Sequence, residues 1–360
     1  MTHLRPLLTS VTRRSDLEAG GFEMTPLPRD RWATGDFVVA EVLGHCQHPF
    51  ELPSGRRVAT VAGDHVVGAF GKRAATLEAV GDWQDIGDDG SMEALTGAGL
   101  FGKATSVSSW LAPLTPLRYL GHATRDGAKL TMRQFALRGT RQRLKAPVVL
   151  IVGTSMSAGK TTAARVIVRL LAERGLRVVA SKVTGAARYR DILSCLDAGA
   201  SAIYDFVDVG LPSSMAPADQ FQRGLEVLLS HIAAERPDVV VVEAGASPLE
   251  DYNGGTAVKL LKPLTRVVVL AASDPYAVLG VQSAFRLKPT VITGPAANTS
   301  AAVALAERLT GARGLNVLDR AAASELDALL TARLRLGRRA GRREPGRTSH
   351  RNVNRVAKSR

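Results

Sequence analysis

The stretch Val148-Val-Leu-Ile-Val-Gly153-Thr-Ser-Met-Ser-Ala-Gly159-Lys160-Thr161-Thr162 most limits what this chain can fold into. An apolar, β-branched run ends in a loop of small residues. The loop closes on Gly-Lys-Thr-Thr, and an amphipathic run from Ala163 to Arg174 follows at once. That order is strand, phosphate loop, helix, the context a Walker A motif requires. In it, backbone N–H groups of the loop and the first helical turn converge on one point, where the helix dipole adds partial positive charge. Lys160 then neutralises the β- and γ-phosphates of a nucleotide, and the Thr161 hydroxyl ligates Mg2+. The expected phosphate-binding set is Gly153, Thr154, Ser155, Ser157, Ala158, Gly159, Lys160, Thr161 and Thr162. The spacing has one irregularity: Thr154 stands where the first glycine is usual, and Gly153 comes one position earlier. A chance Gly-Lys-Thr on a surface turn would not bring a strand before it and a helix after it.

From this loop onward the sequence alternates. Strands are expected at 148–153, 177–182, 202–207, 239–243, 266–271, 289–293 and 315–318. Helices are expected at 160–174, 190–198, 218–235, 255–262, 275–285, 299–310 and 321–332. Strands joined by crossover helices give a doubly wound, mostly parallel α/β sheet. Val239-Val-Val-Val and Arg266-Val-Val-Val-Leu-Ala271 are apolar without alternation, as strands buried on both faces are. Ligands in such sheets sit at the carboxyl ends of the strands. The segments there are the phosphate loop, Lys182 to Thr184, Asp205 to Ser214, Glu243 to Asn253, Ser273 to Tyr276 and Gly294 to Thr299.

Gly153-Thr-Ser-Met-Ser-Ala-Gly159-Lys160-Thr161 resembles the phosphate loop of dethiobiotin synthetase and its relatives, Gly-Thr-Asp-x-x-x-Gly-Lys-Thr. Leu176-Arg-Val-Val-Ala-Ser-Lys182 resembles that group's second strand with its terminal lysine, and Asp238-Val-Val-Val-Val-Glu243-Ala-Gly245 its next buried strand. The segments Lys182-Val-Thr184-Gly185, Asp191, Asp197-Ala-Gly199 and Asp205 to Ser214 resemble a less characterised branch. That branch includes ATPase-like proteins and the D-glutamate N-acetyltransferase group. The resemblance covers residues 146 to about 330. No counterpart of the dethiobiotin synthetase substrate motifs is found, so biotin synthesis is not implied. The resemblance implies that Lys182 stabilises charge on a transferring γ-phosphoryl group. Asp191 and Glu243 complete the Mg2+ shell beside Thr161, since Mg2+ takes one or two carboxylates and keeps waters. The expected catalytic set is therefore Lys160, Lys182 and Glu243, and the metal set Thr161, Asp191 and Glu243. Asn298 lies on a late turn where the relatives recognise the base, and it is the expected adenine contact; N-capping of the next helix is the alternative. For Lys182 the alternative is a surface lysine, and for Glu243 an ion-pair partner of Lys182.

The first part of the chain reads differently. Gly35 to Gly44 is a strand between glycines. Gly55 to Asp64 and His65 to Gly71 suggest a hairpin around Gly63-Asp64, and Leu117–Thr124 with Ala128–Leu137 another across Arg125-Asp126-Gly127. Short strands with glycine-rich turns indicate a small all-β, barrel-like domain. The expected order is an N-terminal extension over 1–30, the barrel over 31–138, a linker over 139–147, the P-loop α/β domain over 148–332 and a disordered basic tail over 333–360. His45-Cys46-Gln47-His48 has no fourth ligand at a zinc-site spacing, so it is read as a turn. Lys72 and Arg73 are read as a solvated barrel edge, with contact to an acidic substrate as the alternative. Asp205, Asp208, Ser213 and Ser214 are read either as substrate groups or as helix caps. The loop 245–255 is read as a substrate-side lid.

Composition narrows the class. The net charge is +14, but residues 333–360 hold eleven Lys/Arg against one acid, which leaves only +4 for residues 1–332. With no aromatic residue among its charges to stack on bases, that tail reads first as a solvated extension; nucleic acid is expected only through it. No apolar run is long enough to span a bilayer, and no secretory signal pattern is evident, so a cytoplasmic location without membrane contact is the expectation. Two cysteines, Cys46 and Cys195, imply no disulfide framework. A guanine-reading Asn-Lys-x-Asp segment is absent, which favours ATP over GTP. The expected protein is a Mg2+-dependent, ATP-binding enzyme of ligase or NTPase type. It would transfer a phosphoryl group to, or ligate, a small carboxylate-type metabolite; a homodimer is left open. Two alternatives stand beside it: a regulatory or chaperone-like ATPase acting on a protein partner, and an acyltransferase whose loop holds the phosphates of coenzyme A.

Overall fold

A computed structural model of the chain describes residues 6–44, 48–285 and 287–335. His45, Cys46, Gln47 and the tail from residue 336 lie outside the described residues.

Among the described residues the N-terminal part contributes twelve strands: β1 (Leu7–Leu8), β2 (Glu23–Thr25), β3 (Phe37–Val42), β4 (Phe50–Glu51), β5 (Arg57–Val58), β6 (His65–Phe70), β7 (Lys72–Ala74), β8 (Ala79–Asp82), β9 (Ser91–Thr96), β10 (Leu100–Val107), β11 (Pro116–Arg125) and β12 (Ala128–Lys129). A four-residue helix, α1 (Leu17–Gly20), lies between the first two. Strands β6, β3, β11, β9 and β10 pair in that order. Parallel pairing of Leu100 and Phe101 with Ala69 and Phe70 returns β10 to β6, so the five close into a barrel. Closure removes edges that would otherwise be free to pair with other chains. Val38, Ala40, Val66, Phe70, Met92, Phe101 and Leu117 are buried together in one core, as the period-two spacing of strand residues allows.

The barrel differs from expectation in three places. Of the segment expected as an extension over 1–30, the described residues 6–30 belong to the barrel: Leu7–Leu8 pairs with Val66–Val67, Glu23–Thr25 pairs with β11, and Val11 and Leu17 are buried. The hairpin around Gly63 does not form. Strand β6 pairs with β3, while Arg57–Val58 pairs only with Phe50–Glu51. The Gly63 turn instead bonds to β3, with the Gly63 N–H donating to the Val42 carbonyl (2.9 Å). The Asp126-Gly127 turn is as expected, but its second strand lasts two residues, because Thr131 and Gln134 cap a 3-10 turn over Met132–Phe135. Alternation in sequence marks a strand; it does not say which strand is its partner.

The C-terminal part holds β13 (Val148–Gly153), α2 (Lys160–Glu173), β14 (Val178–Thr184), α3 (Tyr189–Asp197), β15 (Ala202–Asp205), α4 (Ala218–Ala234), β16 (Val239–Ala244), α5 (Gly254–Leu261), β17 (Thr265–Ala271), α6 (Pro275–Phe285), β18 (Val291–Thr293), α7 (Ser300–Thr310), β19 (Arg313–Gly314) and α8 (Arg320–Leu334). Among the described residues seven parallel strands run in the order β15-β14-β16-β13-β17-β18-β19. Alternate residues of one strand feed opposite cores. Val148, Leu150 and Val152 pack with Phe221, Leu225 and Leu228 of α4, while Val149 and Ile151 pack with Ile167, Val168 and Leu171 of α2. This is the doubly wound arrangement, and it explains why the strands are apolar throughout. Each such leucine or phenylalanine contributes about 1.5–3 kcal/mol relative to exposure.

The barrel docks against the carboxyl ends of the parallel strands. Leu95 and Leu100 of the barrel form one buried cluster with Ala186, Ala246 and Tyr252. The Tyr252 hydroxyl accepts from the Ala74 N–H (2.8 Å), and Glu250 accepts from the Thr76 N–H (3.0 Å) and hydroxyl (2.9 Å). The loop expected as a lid is thus fastened to β7 and the turn after it. Glu51 accepts from the N–H groups of Tyr189 (2.7 Å) and Arg190 (2.9 Å), capping α3 from the barrel side. Arg13 ion-pairs with both Asp205 and Asp208 and lies over the Tyr189 ring. Asp205 also caps the 3-10 turn that follows it, with Oδ1 accepting from the Val207 N–H (2.8 Å). The Asp208 carboxylate accepts from the Asp205 N–H (2.8 Å) and completes a capping box, so of the two readings for these acids the capping one describes both.

Replacing Arg13 strands two buried carboxylates. Arg13→Ala should lower stability by about 3–5 kcal/mol, read as an earlier urea midpoint at neutral pH. An unchanged midpoint would show that this clamp holds nothing together.

Candidate functional site

Strand β13 ends at Gly153, where the side chain of Lys160 takes the space that a Cβ would fill. A methyl group on Gly153 would stand 2.7 Å from Lys160 Cδ and 2.8 Å from Cγ. Lys160 begins α2, is buried, and donates from Nζ to the Ser155 carbonyl (2.6 Å), inside the loop. The loop turns through two left-handed residues, Ser157 (φ 63°) and Gly159 (φ 98°). Among the described residues, the backbone N–H groups of 155–162 donate no hydrogen bond to the protein. A helix N-terminus preceded by free amides and a buried lysine is an anion cradle.

The cradle opens into a cleft of about 450 Å³ between the sheet and the barrel. Ser157, Gly159, Lys160, Thr161 and Thr162 line it, as do Lys182, Asp191 and Glu243. Six cations and three carboxylates face this space, an excess of positive charge that suits a polyphosphate. The Thr161 hydroxyl bonds the Glu243 carboxylate (3.0 Å to Oε2). Lys182 and Glu243 stand side by side in the β14–β16 register, and Lys182 Nζ lies 2.5 Å from Asp191 Oδ2. Lys182 is therefore buried and paired with Asp191, not with Glu243.

The charges respond to burial. Desolvation pushes Lys160 below its ordinary value, with Glu243 opposing and Lys182 adding to the shift. Burial also acts to lower Lys182, but Asp191 and Glu243 outweigh it, and the ammonium is held above the usual lysine range. Asp191 is held below the usual carboxylate range: burial works against this, and Lys182 and Arg188 overcome it. Glu243 is pushed up, by burial first and by the Asp191 charge as well, against the pull of Lys182.

Other expected residues take different places. Thr154 lies outside this cleft; its hydroxyl accepts from the Ser273 N–H (3.1 Å). Ser155 is buried and supplies only the carbonyl already described among its protein contacts. Ala158 is buried against the late turn: a Cβ on Gly294 would stand 2.3 Å from the Ala158 carbonyl. Asn298 is exposed and does not line the cleft, and the cap of α7 is Thr299. The turn reaches the loop through Gly294 backbone, so a side-chain contact from Asn298 is not what the fold provides here. Ser213 and Ser214 are buried. Ser214 accepts from the Gly185 N–H (2.8 Å) and donates to the Tyr252 carbonyl (2.7 Å), a structural role.

Arg73 corrects the reading of a solvated edge. It is 3% exposed, lines the cleft, and ion-pairs with Glu78. The sequence shows two cations, Lys72 and Arg73, after the strand expected to end at Gly71, which by itself does not tell edge from interface.

Residues 136–272 match a family model described as "Domain of unknown function (DUF1611_C) P-loop domain". This match covers less than half of the chain and coincides with the cradle and the strands around it. The chain contains a P-loop domain, a nucleotide-binding fold. Among solved structures it is similar to the signal recognition particle receptor FtsY from Elizabethkingia anophelis, at 16% identity and a TM-score of 0.33, over 51% of this chain and 65% of that one. It is also similar to chloroplast FtsY from Physcomitrella patens, at 15% identity and a TM-score of 0.33, over 49% and 60%. The 54 kDa signal recognition particle protein from Aeropyrum pernix K1 matches at 22% identity and a TM-score of 0.34, over 57% and 52%. The chain thus spans between about half and two thirds of the lengths of those three chains. No curated protein matches it. No helix among the described residues is long and apolar enough to cross a membrane.

Gly153→Ala should displace the Lys160 side chain and weaken nucleotide binding about tenfold or more, the loss of one charge-assisted contact. Lys160→Ala should abolish nucleotide-dependent thermal stabilisation. Both are read by thermal shift with Mg-ATP, and full stabilisation in Lys160→Ala would remove the cradle from function.

Proposed function

We propose that this chain is a Mg2+-dependent, ATP-binding enzyme of the dethiobiotin synthetase-like kind that transfers a phosphoryl group to a small carboxylate-type metabolite. The observation that carries the reading is the convergence of Lys160, Lys182 and the Thr161–Glu243 pair on one cleft.

The donors fit a hard cation. Thr161 offers a hydroxyl and Glu243 a carboxylate 3.0 Å from it, and all are oxygens of the type Mg2+ takes. Among the described residues no group of three His, Cys, Asp or Glu side chains forms a self-contained metal cage. Asp191, held by Lys182, is the weaker of the two carboxylate ligands expected. When bound, Mg2+ would supply neutralisation of phosphate charge.

The chain's own groups account for the remainder. Free loop amides and Lys160 hold the phosphates, and Lys182 faces the charge that grows during transfer. Asp191 keeps Lys182 protonated and oriented. In the reaction an acceptor carboxylate oxygen forms a bond to the γ-phosphorus. The bond from that phosphorus to the bridging oxygen breaks, and ADP departs with the electron pair. The acyl phosphate left behind is competent for ligation to a nucleophile.

A carboxylate metabolite should raise ADP release by the purified protein well above the basal rate. Stimulation only by a protein partner would favour the regulatory ATPase, and thermal protection by acetyl-CoA but not by ATP would favour the acyltransferase. Glu243→Gln should retain measurable nucleotide binding and lose Mg2+-dependent turnover by roughly a hundredfold to a thousandfold, the range seen when a group acting on transition-state charge is removed. Full turnover in that variant would take Glu243 out of the site. Deleting residues 336–360 should leave ATP hydrolysis unchanged, and a large loss would assign the basic tail a part in turnover.

A further inference from the structure

The barrel wall of the cleft carries groups that the phosphate chemistry does not use. Arg73, on β7, donates from Nη1 to the Leu95 carbonyl (2.5 Å) and from Nη2 to the Glu78 carboxylate. Its Nε is buried without a partner among the described residues. Thr96 is the next residue after Leu95, is 6% exposed, and its hydroxyl is also buried without a partner. Both residues line the cleft. Arg188 reaches the cleft from the P-loop domain, with Nη2 3.8 Å from the same Glu78 carboxylate and a side chain 40% exposed. Buried polar atoms are rarely left unpaired in native proteins, and these two belong to residues that line one cleft.

We infer that Arg73, Thr96 and Arg188 form the acceptor subsite, which takes a carboxylate of a small metabolite, so that the barrel selects the second substrate. This rests on the phosphoryl-transfer reading above. Two guanidinium groups and a hydroxyl suit a planar carboxylate, since the arginine fork matches its two oxygens. The phosphates are already served on the opposite wall by Lys160 and the loop amides, which leaves these arginines for a different anion. Glu78 lies between them and holds both ready, as a carboxylate that a substrate's own can displace or join. The two walls come from separate parts of the chain, so the subsite exists only with the barrel docked, fastened by Tyr252, Glu250 and Glu51.

The test is calorimetry on the full chain, saturated with Mg2+ and a non-hydrolysable ATP analogue. Short mono- and dicarboxylates are titrated in, with the matching amides and inorganic phosphate as controls. A carboxylate should bind where its amide does not. Arg188→Ala and Thr96→Val should each weaken that binding about tenfold to a hundredfold. Thr96→Val loses no existing hydrogen bond and fills the same volume, so its melting temperature should hold while its carboxylate affinity falls. Equal affinity in wild type and both variants overturns the subsite, as does phosphate binding more tightly than every carboxylate. If the analogue binds and no carboxylate does, the subsite alone falls; if the analogue itself does not bind, the phosphoryl-transfer reading falls with it.

Discussion

A buried lysine folded back over a glycine organises the functional end of this molecule. Lys160 lies across Gly153 and reaches the Ser155 carbonyl, and that packing sets the turn of the loop around it. A burial that lowers the lysine's affinity for its proton is tolerable only where anions compensate. Glu243 does so in part, and the free loop amides add to the demand for negative charge. A polyanion is what completes such an arrangement.

The rest of the structure positions that point. The parallel sheet carries Lys182 and Glu243 in adjacent register, so two oppositely charged groups arrive at one carboxyl edge without any loop to steer them. The helix α3 brings Asp191 to Lys182, and Glu51 of the barrel fixes the start of that helix. The barrel is thus part of the site's geometry and not an appended module. Its strands β7 and β9 carry Arg73 and Thr96, which line the cleft together with residues of the P-loop domain.

Several residues have a different partner from the one that local sequence implies. Arg73 looks like an exposed cation because nothing in its neighbours announces the P-loop domain that covers it. Tyr252 sits in a polar, glycine-tipped loop, yet it is fully buried, since the loop packs into the seam between the two parts. Arg13, far upstream, turns Asp205 and Asp208 into structural anchors. Asn298 follows the expected late strand, but backbone at Gly294, not its side chain, meets the loop.

The sequence alone determined the parallel sheet and the cradle. Both depend on short-range rules: apolar runs of strand length, helical periodicity between them, and a Gly-Lys-Thr at a strand-to-helix turn. Tertiary structure decided which barrel strands pair, which carboxylate Lys182 binds, and which face of the barrel closes the cleft. Those outcomes join residues such as Ala74 and Tyr252 or Glu51 and Tyr189 across long stretches of chain. Pairing at that range depends on burial and complementary charge over the whole surface, and no local pattern encodes it.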